Sequence, residues 1–155
     1  MKNFPFLIFI TTFLFIYLIG HFYVWQRIRL IWPYSERYFW FFTAAYILVA
    51  TTFVLGRFML HSQGMLHEMV AWVGSYWLIV ALYLLIAFFL FDLFRLVNWF
   101  LPFFPPKDSE AYLHLRTWLF YGIFGAIALA VLLGHWNATI PRLKEISITT
   151  SKDIG

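Results

Sequence analysis

The sequence predicts an all-α integral membrane protein, an antiparallel four-helix transmembrane bundle with a short polar C-terminal tail. Hydrophobic residues make up 63% of the 155 residues and charged residues only 12%, whereas an average soluble domain has roughly 25% charged residues. Four separate runs of about 20 apolar residues occur, and each is long enough to cross a hydrocarbon core about 30 Å thick. The loops between the runs are short, which favours antiparallel neighbouring helices.

Composition also bounds the chemistry and the partners. The absence of cysteine excludes disulfides, thiolate catalysis and zinc sites built on cysteine. The net charge of +4 comes from cations that flank the apolar runs instead of clustering. Membrane lipids with anionic headgroups are therefore the expected partner, and nucleic acid is not.

The first helix is predicted over residues 4–31. No charged residue occurs from Phe4 to Val24, and the run ends in aromatic residues with Arg27 and Arg29, a pattern typical of the membrane interface. A signal peptide is disfavoured because the apolar run is longer than a typical signal sequence and no small-residue cleavage site follows it.

The next two helices are separated by breaks in the apolar pattern. Pro33 interrupts the chain, and the Ser35-Glu36 pair favours a second helix over residues 36–60. A third helix is predicted over residues 69–101. Its 23 apolar residues before Asp92 suffice to span the membrane, and Pro102 ends it because proline lacks an amide hydrogen.

The fourth helix is predicted over residues 110–136, with Asp108, Ser109 and Glu110 as capping residues. The remaining residues, 137–155, are polar, and residues 143–150 shift to a period of two with Ile146 and Ile148 on one face. This pattern indicates a strand. A lone strand is unstable, so we interpret the tail as a linker and first strand leading to a soluble domain outside this sequence; a frayed tail is the alternative.

The predicted orientation rests on a small charge bias. The membrane side of loops one and three carries six cations, and the other side carries five. The immediate flanks of the first helix favour loops one and three being cytoplasmic, so both termini are expected outside the cytoplasm. The predicted location is the cell (inner or plasma) membrane, as a multi-pass protein.

Two groups of residues suggest helix packing. Asp92 and Arg95 lie one turn apart on the third helix and are predicted to form an interfacial ion pair. On the fourth helix, small residues recur at every fourth position, and small residues allow membrane helices to approach closely. This small-residue face is predicted to pack inside the bundle or between protomers, as a possible homo-oligomer; it consists of Gly122, Ala126, Ala130 and Gly134.

Three histidines give a weaker hypothesis of metal binding. His61, His67 and His135 are expected at one membrane surface, where imidazoles could bind zinc. The alternative, which we favour, is that they are ordinary interfacial histidines. Haem ligation is disfavoured because no histidine is expected near the middle of a span. Hydrolase, kinase and dinucleotide signatures do not occur, so no catalytic residue and no cofactor is assigned in this segment.

Two stretches resemble a known family. Residues 72–96 (WVGSYWL through YLL to FDLFRL) resemble the third membrane helix of bacterial transmembrane metallophosphoesterases of the calcineurin-like superfamily. Residues 134–144 (GHWNA and PRLK), with the Ile146/Ile148 strand, resemble the junction where those proteins leave the membrane. The resemblance implies a four-helix membrane anchor for a soluble domain that hydrolyses phosphoesters with two divalent metal ions.

The resemblance assigns no catalytic residue to this chain. The family's metal ligands come from motifs of the Asp-x-His, Gly-Asp and Gly-Asn-His-Glu types, and none occurs in residues 1–155. The expected function is therefore to anchor the protein's own C-terminal phosphoesterase domain. Two alternatives remain: a self-contained transporter or channel subunit, and a scaffold subunit that binds partner helices. A transporter is disfavoured because no ionisable residue is expected near the centre of a span.

Overall fold

The computed structural model describes residues 4–58, 64–106 and 108–139. Within these ranges the chain forms four α-helices and no strand: α1 (Phe4–Ile31), α2 (Glu36–Phe58), α3 (Met65–Phe100) and α4 (Glu110–Thr139). All four are long and apolar enough to cross a membrane, so the predicted all-α, four-helix, multi-pass membrane fold is confirmed. The predicted strand over residues 143–150 lies outside the described residues.

The largest differences from the predicted helix boundaries are at two places. α3 begins at Met65, four residues before the predicted start, and α4 continues to Thr139, three residues beyond the predicted end. The start of α4 follows the capping prediction, because the backbone N–H of Tyr112 donates to Ser109 Oγ at 3.2 Å. The side chain thereby satisfies one of the otherwise unpaired donors of the first turn.

The turn after α3 is organised by one side chain. Asn98 Oδ1 accepts hydrogen bonds from the backbone N–H groups of Phe103 (2.8 Å) and Phe104 (2.7 Å). The proline at position 102 cannot continue the helix, and the amide oxygen of Asn98 takes up the donors that become free immediately beyond it. The chain therefore leaves α3 in a defined direction.

Contacts between the helices establish the antiparallel order. Tyr17 of α1 bonds to Ala50 of α2, while Trp25, later in α1, bonds to Thr43, earlier in α2. Along the next pair, Gly56 of α2 lies against Ala71 of α3, and Gly74 of α3 lies against Phe53. Near the end of α4, His135 lies 2.6 Å from the hydroxyl of Tyr76, in the first half of α3, so the start of α1 and the end of α4 lie at the same end of the bundle.

The buried core lies in the half of the bundle where α1 ends. Its four fully buried side chains are Val24 and Ile28 of α1 and Leu84 and Phe88 of α3. The surrounding buried residues come from α1, α2 and α4: Ile31, Phe39, Tyr46 and Ile127. Many large apolar side chains elsewhere are exposed, as expected where lipid and not water is the solvent.

The closest approach of two helices is between α2 and α3, the pair with the most extensive contact. A Cβ atom placed on Gly74 would lie 2.6 Å from Phe53 Cα and 2.7 Å from its backbone nitrogen. A Cβ atom on Gly56 would lie 3.1 Å from Ala71 Cα. Because the obstructing atoms belong to the backbone, glycine is what permits these helices to touch.

Candidate functional site

The centre of the bundle contains a polar cluster around His21 of α1. Trp77 of α3 donates from Nε1 to His21 Nε2 at 3.0 Å, and His21 Nδ1 lies 3.0 Å from the carbonyl oxygen of Tyr17. Because Nε2 accepts, the ring proton lies on Nδ1, which donates to Tyr17 O. The imidazole is therefore neutral, in the Nδ1–H tautomer.

Two tyrosine hydroxyls extend this cluster to α2. Tyr46 donates to the carbonyl oxygen of His21 at 3.2 Å, and Tyr17 donates to the carbonyl oxygen of Ala50 at 2.7 Å. Aromatic rings cover these bonds, since the Tyr17 and Tyr46 rings both pack against the imidazole of His21. The cluster thus connects α1, α2 and α3 through bonds that the surrounding hydrocarbon strengthens.

The depth of His21 corrects the expectation that no histidine or other ionisable residue lies near the centre of a span. His21 lies at the level of Tyr46, which is near the middle of the 23-residue helix α2. Its position near the end of the apolar run of α1 concealed this depth, because the helix continues for ten residues beyond His21, to Ile31. Both imidazole nitrogens are engaged, so the arrangement as it stands holds helices together.

Asp92 forms its ion pair with a residue other than the predicted one. Its Oδ2 atom lies 2.7 Å from Arg27 Nη2 of α1 and accepts a hydrogen bond from the Tyr23 hydroxyl at 2.5 Å. In the described part of the chain, no carboxylate lies within 4 Å of Arg95. The predicted Asp92–Arg95 pair is therefore wrong: Asp92 faces α1, while the side chain of Arg95 is exposed.

The Arg27–Asp92 pair is shielded from its surroundings. The two side chains are only 28% and 24% exposed, and the guanidinium of Arg27 also lies 5.1 Å from the centre of the Tyr23 ring. A charge at this depth is costly unless paired. The carboxylate and the guanidinium neutralise each other and, with Tyr23, tie the end of α1 to α3.

Two further arginines line a cavity at the end of α1. This arginine cavity, of about 520 Å³, is bounded by Trp25, Gln26, Arg29 and Leu30 of α1 and by Arg116 of α4. Arg116 is held in place by a hydrogen bond from Nη2 to the carbonyl oxygen of Trp32 at 2.6 Å. Two cations and an amide face one space, which is a composition suited to an anion.

The candidate metal ligands lie at different helix contacts. His67 borders a cavity of about 190 Å³ between α2 and α3 with Arg57 and Ser75, whereas His135 of α4 lies 2.6 Å from the Tyr76 hydroxyl of α3. The third candidate, His61, lies outside the described residues. Within the residues that are described, no three His, Cys, Asp or Glu side chains are grouped to hold a metal ion.

The small-residue face of α4 points away from the other three helices. Gly122, Ala126, Ala130 and Gly134 are all exposed, and a Cβ atom on Gly122 or Gly134 would meet nothing within 4 Å. The prediction that this face packs inside the bundle is therefore wrong, and packing between protomers stays a prediction. α4 instead packs inward through bulky residues: Phe120, Ile123, Phe124, Ile127 and Val131.

Comparisons with known proteins add no relative: no protein family model matches the chain, and no curated protein or solved structure matches it. A function for the chain is therefore inferred from its own sequence, fold and side-chain geometry.

Proposed function

We propose that this chain is the membrane domain of a metal-dependent phosphoesterase, holding a water-facing catalytic domain at the membrane surface. Two stretches of the sequence support this proposal. Residues 134–144 resemble the junction where transmembrane metallophosphoesterases leave the membrane, and residues 72–96 resemble their third membrane helix. The supporting structural observation is the course of α4. It stays helical through the first part of that junction to Thr139, about 9 Å beyond its apolar span, which ends at Leu133.

The antiparallel order supports the same role. With four helices, the start of α1 and the end of α4 lie at one end of the bundle. A domain that follows α4 is then presented on that side, close to the bilayer, where phosphoesters carried by lipids or released from them are found. The proposed membrane is the bacterial cell membrane, with both termini outside the cytoplasm.

The residues of this chain do not fit a two-metal centre. The motifs that supply its ligands are absent from the sequence, and the described residues offer no group of three ligands. The two divalent metal ions of the proposed activity therefore belong to the catalytic domain, and no step of the hydrolysis is assigned to residues 1–155.

The direct test compares residues 1–155 with the product of the continuous reading frame. Both are purified in detergent and assayed with a generic phosphate ester and added manganese, with a chelator-treated sample as the control. We expect turnover from the longer product only, and its loss on chelation. Turnover by residues 1–155 alone, or a reading frame that ends at Gly155, would contradict the proposal.

The orientation is tested separately by topology reporters. One reporter is fused after Gly155 and another is inserted in the loop at residues 102–109. We expect an extracytoplasmic signal from the first and a cytoplasmic signal from the second. A cytoplasmic signal after Gly155 would refute the proposed orientation and leave the phosphoesterase assignment to the activity assay.

The exposed small-residue face supports a second role, association with another copy of the chain. Membrane helices associate through close packing of small residues, and this face has no partner among the described helices. Ala126→Leu should shift a cross-linked dimer to monomer, while Leu132→Ala, at an exposed position on another side of α4, should not. Equal dimer fractions in the two variants would reject this role.

A further inference from the structure

A groove open to the lipid phase separates α1 from α2. This α1–α2 groove encloses about 650 Å³, within the range of roughly 300–1,000 Å³ typical of small-ligand sites. Its walls are mostly apolar residues of both helices, including Leu18 and Phe22 of α1 and Ile47 of α2, which are more than half exposed. The polar cluster around His21 also borders it. Polar bonds such as Trp25–Thr43 join the two helices without filling it.

The groove and the arginine cavity share a wall. Trp25 borders both spaces, and it belongs to a continuous face of α1 formed by Leu14, Leu18, Phe22, Trp25 and Arg29. The intervals of three and four residues place these side chains on one side of the helix. An apolar channel therefore leads along α1 to a cationic end.

The length of this face matches one leaflet of a bilayer. Leu18 and Arg29 are about 17 Å apart along the helix axis, and half of a hydrocarbon core is roughly 15 Å. Arg27, Trp25 and Trp32 stand near its cationic end, and such residues are typical of the headgroup level. A molecule with its charge at Arg29 thus has its hydrocarbon beside Phe22 and Leu18.

The charge at the cationic end is not neutralised within the site. Arg29 is held over the Trp25 and Phe39 rings, 6.0 Å and 5.9 Å from their centres. Its carboxylate neighbour, Glu36, is 3.6 Å away and 86% exposed, so the pair is weak. Arg116 faces the same cavity while bonded to the Trp32 carbonyl, a neutral acceptor.

We propose that the α1–α2 groove and the arginine cavity together bind one anionic phospholipid. The phosphate lies between Arg29 and Arg116, and one acyl chain follows Phe22 and Leu18 between α1 and α2. Basic pockets between transmembrane helices bind anionic headgroups in this way. A lipid with a net negative headgroup is preferred over a zwitterionic one, because the site carries two arginines and one carboxylate, which is exposed and only weakly paired with Arg29.

The test uses residues 1–155 purified in detergent, stripped of lipid and titrated with phosphatidylglycerol or phosphatidylcholine in native mass spectrometry. At about 1 kcal/mol for each arginine, phosphatidylglycerol should bind roughly 30-fold more tightly. The double variant Arg29→Gln/Arg116→Gln should lose most of this preference, and Arg29→Lys/Arg116→Lys should keep it. Arg95→Gln, an exposed arginine near the same interface, is the matched control and should behave as the unmodified protein.

A second variant tests the groove. Leu18→Trp fills it and should weaken binding of both lipids, whereas Leu132→Trp, at an exposed position of α4, should not. Glycerol phosphate, which lacks acyl chains, should not compete at equal concentration. Equal affinity for the two lipids, or competition by glycerol phosphate, would overturn the proposal.

Photo-cross-linking keeps the proposal falsifiable if a variant fails to fold. Phosphatidylglycerol with a photoreactive group in its acyl chain is irradiated with the unmodified chain. We expect adducts on the α1 segment around Leu18 and the α2 segment around Ile47. Adducts spread evenly over the exposed faces of all four helices would show ordinary surrounding lipid and would reject the site.

Discussion

Replacing Gly74 by alanine should separate the two helices that pack most closely. The new Cβ would lie 2.6–2.9 Å from three backbone atoms, Phe53 Cα, Phe53 N and Thr52 C, whereas ordinary contacts begin near 3.5 Å. A flexible side chain could turn aside, but backbone cannot. α2 and α3 must therefore move apart by most of an ångström.

The expected loss of stability on Gly74→Ala is the difference between two opposing effects. Alanine is favoured over glycine in a helix by about 1 kcal/mol, while overpacking a close contact costs typically 1–3 kcal/mol and occasionally more. Because the clash involves three backbone atoms at once, we expect the upper end of that cost. The net destabilisation by Gly74→Ala should be about 2 kcal/mol.

The measurement is reversible unfolding in mixed micelles, followed by loss of helical signal as the denaturing detergent increases. Gly125→Ala is the matched control, since its Cβ meets nothing within 4 Å and Gly125 is not part of the small-residue face, so only the gain in helix propensity remains. Gly74→Ala should unfold earlier than the unmodified protein, and Gly125→Ala no earlier. Equal stability of Gly74→Ala and the unmodified protein would refute the close approach of α2 and α3.

The polar contacts give two further predictions. Asp92→Asn should lower the free energy of unfolding by roughly 1–3 kcal/mol, a value between those of an exposed and a buried ion pair. A double-mutant cycle with Arg27→Gln should show coupling that a cycle with Arg95→Gln lacks. Equal coupling in both cycles would contradict the Asp92–Arg27 pair. Trp77→Phe removes the donor to His21 and should cost about 1 kcal/mol in the same unfolding assay. It should also change the imidazole ¹⁵N shift of His21, and an unchanged shift would show that the bond does not form.

The fold is predictable from the sequence because each helix is set by local features. A run of apolar residues fixes a span, Pro33 and Pro102 fix breaks, and Ser109 supplies the cap seen at the start of α4. Each of these features acts within a few residues, so the ends of a helix can be predicted without knowing how the other helices pack. The start of α3 lies earlier than predicted, since His67 and Glu68 are typical of a polar loop although both are helical.

Rotation of each helix about its axis is not predictable in the same way. Lipid and neighbouring helices are both apolar, so hydrophobic residues surround each helix and do not mark the inward face. Residue spacing predicts close packing through the small-residue face of α4. The close contact is instead between α2 and α3, at Gly56 and Gly74, which lie on different helices and show no spacing pattern in the sequence. Pairs distant in sequence, such as Asp92 with Arg27, are missed for the same reason.

The length of α3 has a mechanical consequence. Its 36 residues extend about 54 Å, nearly twice the thickness of the hydrocarbon core. A helix of that length must tilt steeply or extend beyond the headgroup layer. The tilt therefore sets the distance of its exposed Trp99 and Phe100 from the membrane surface. Bilayer thickness therefore sets how far the turn beyond Phe100 stands from the surface, which makes this turn sensitive to the local lipid composition.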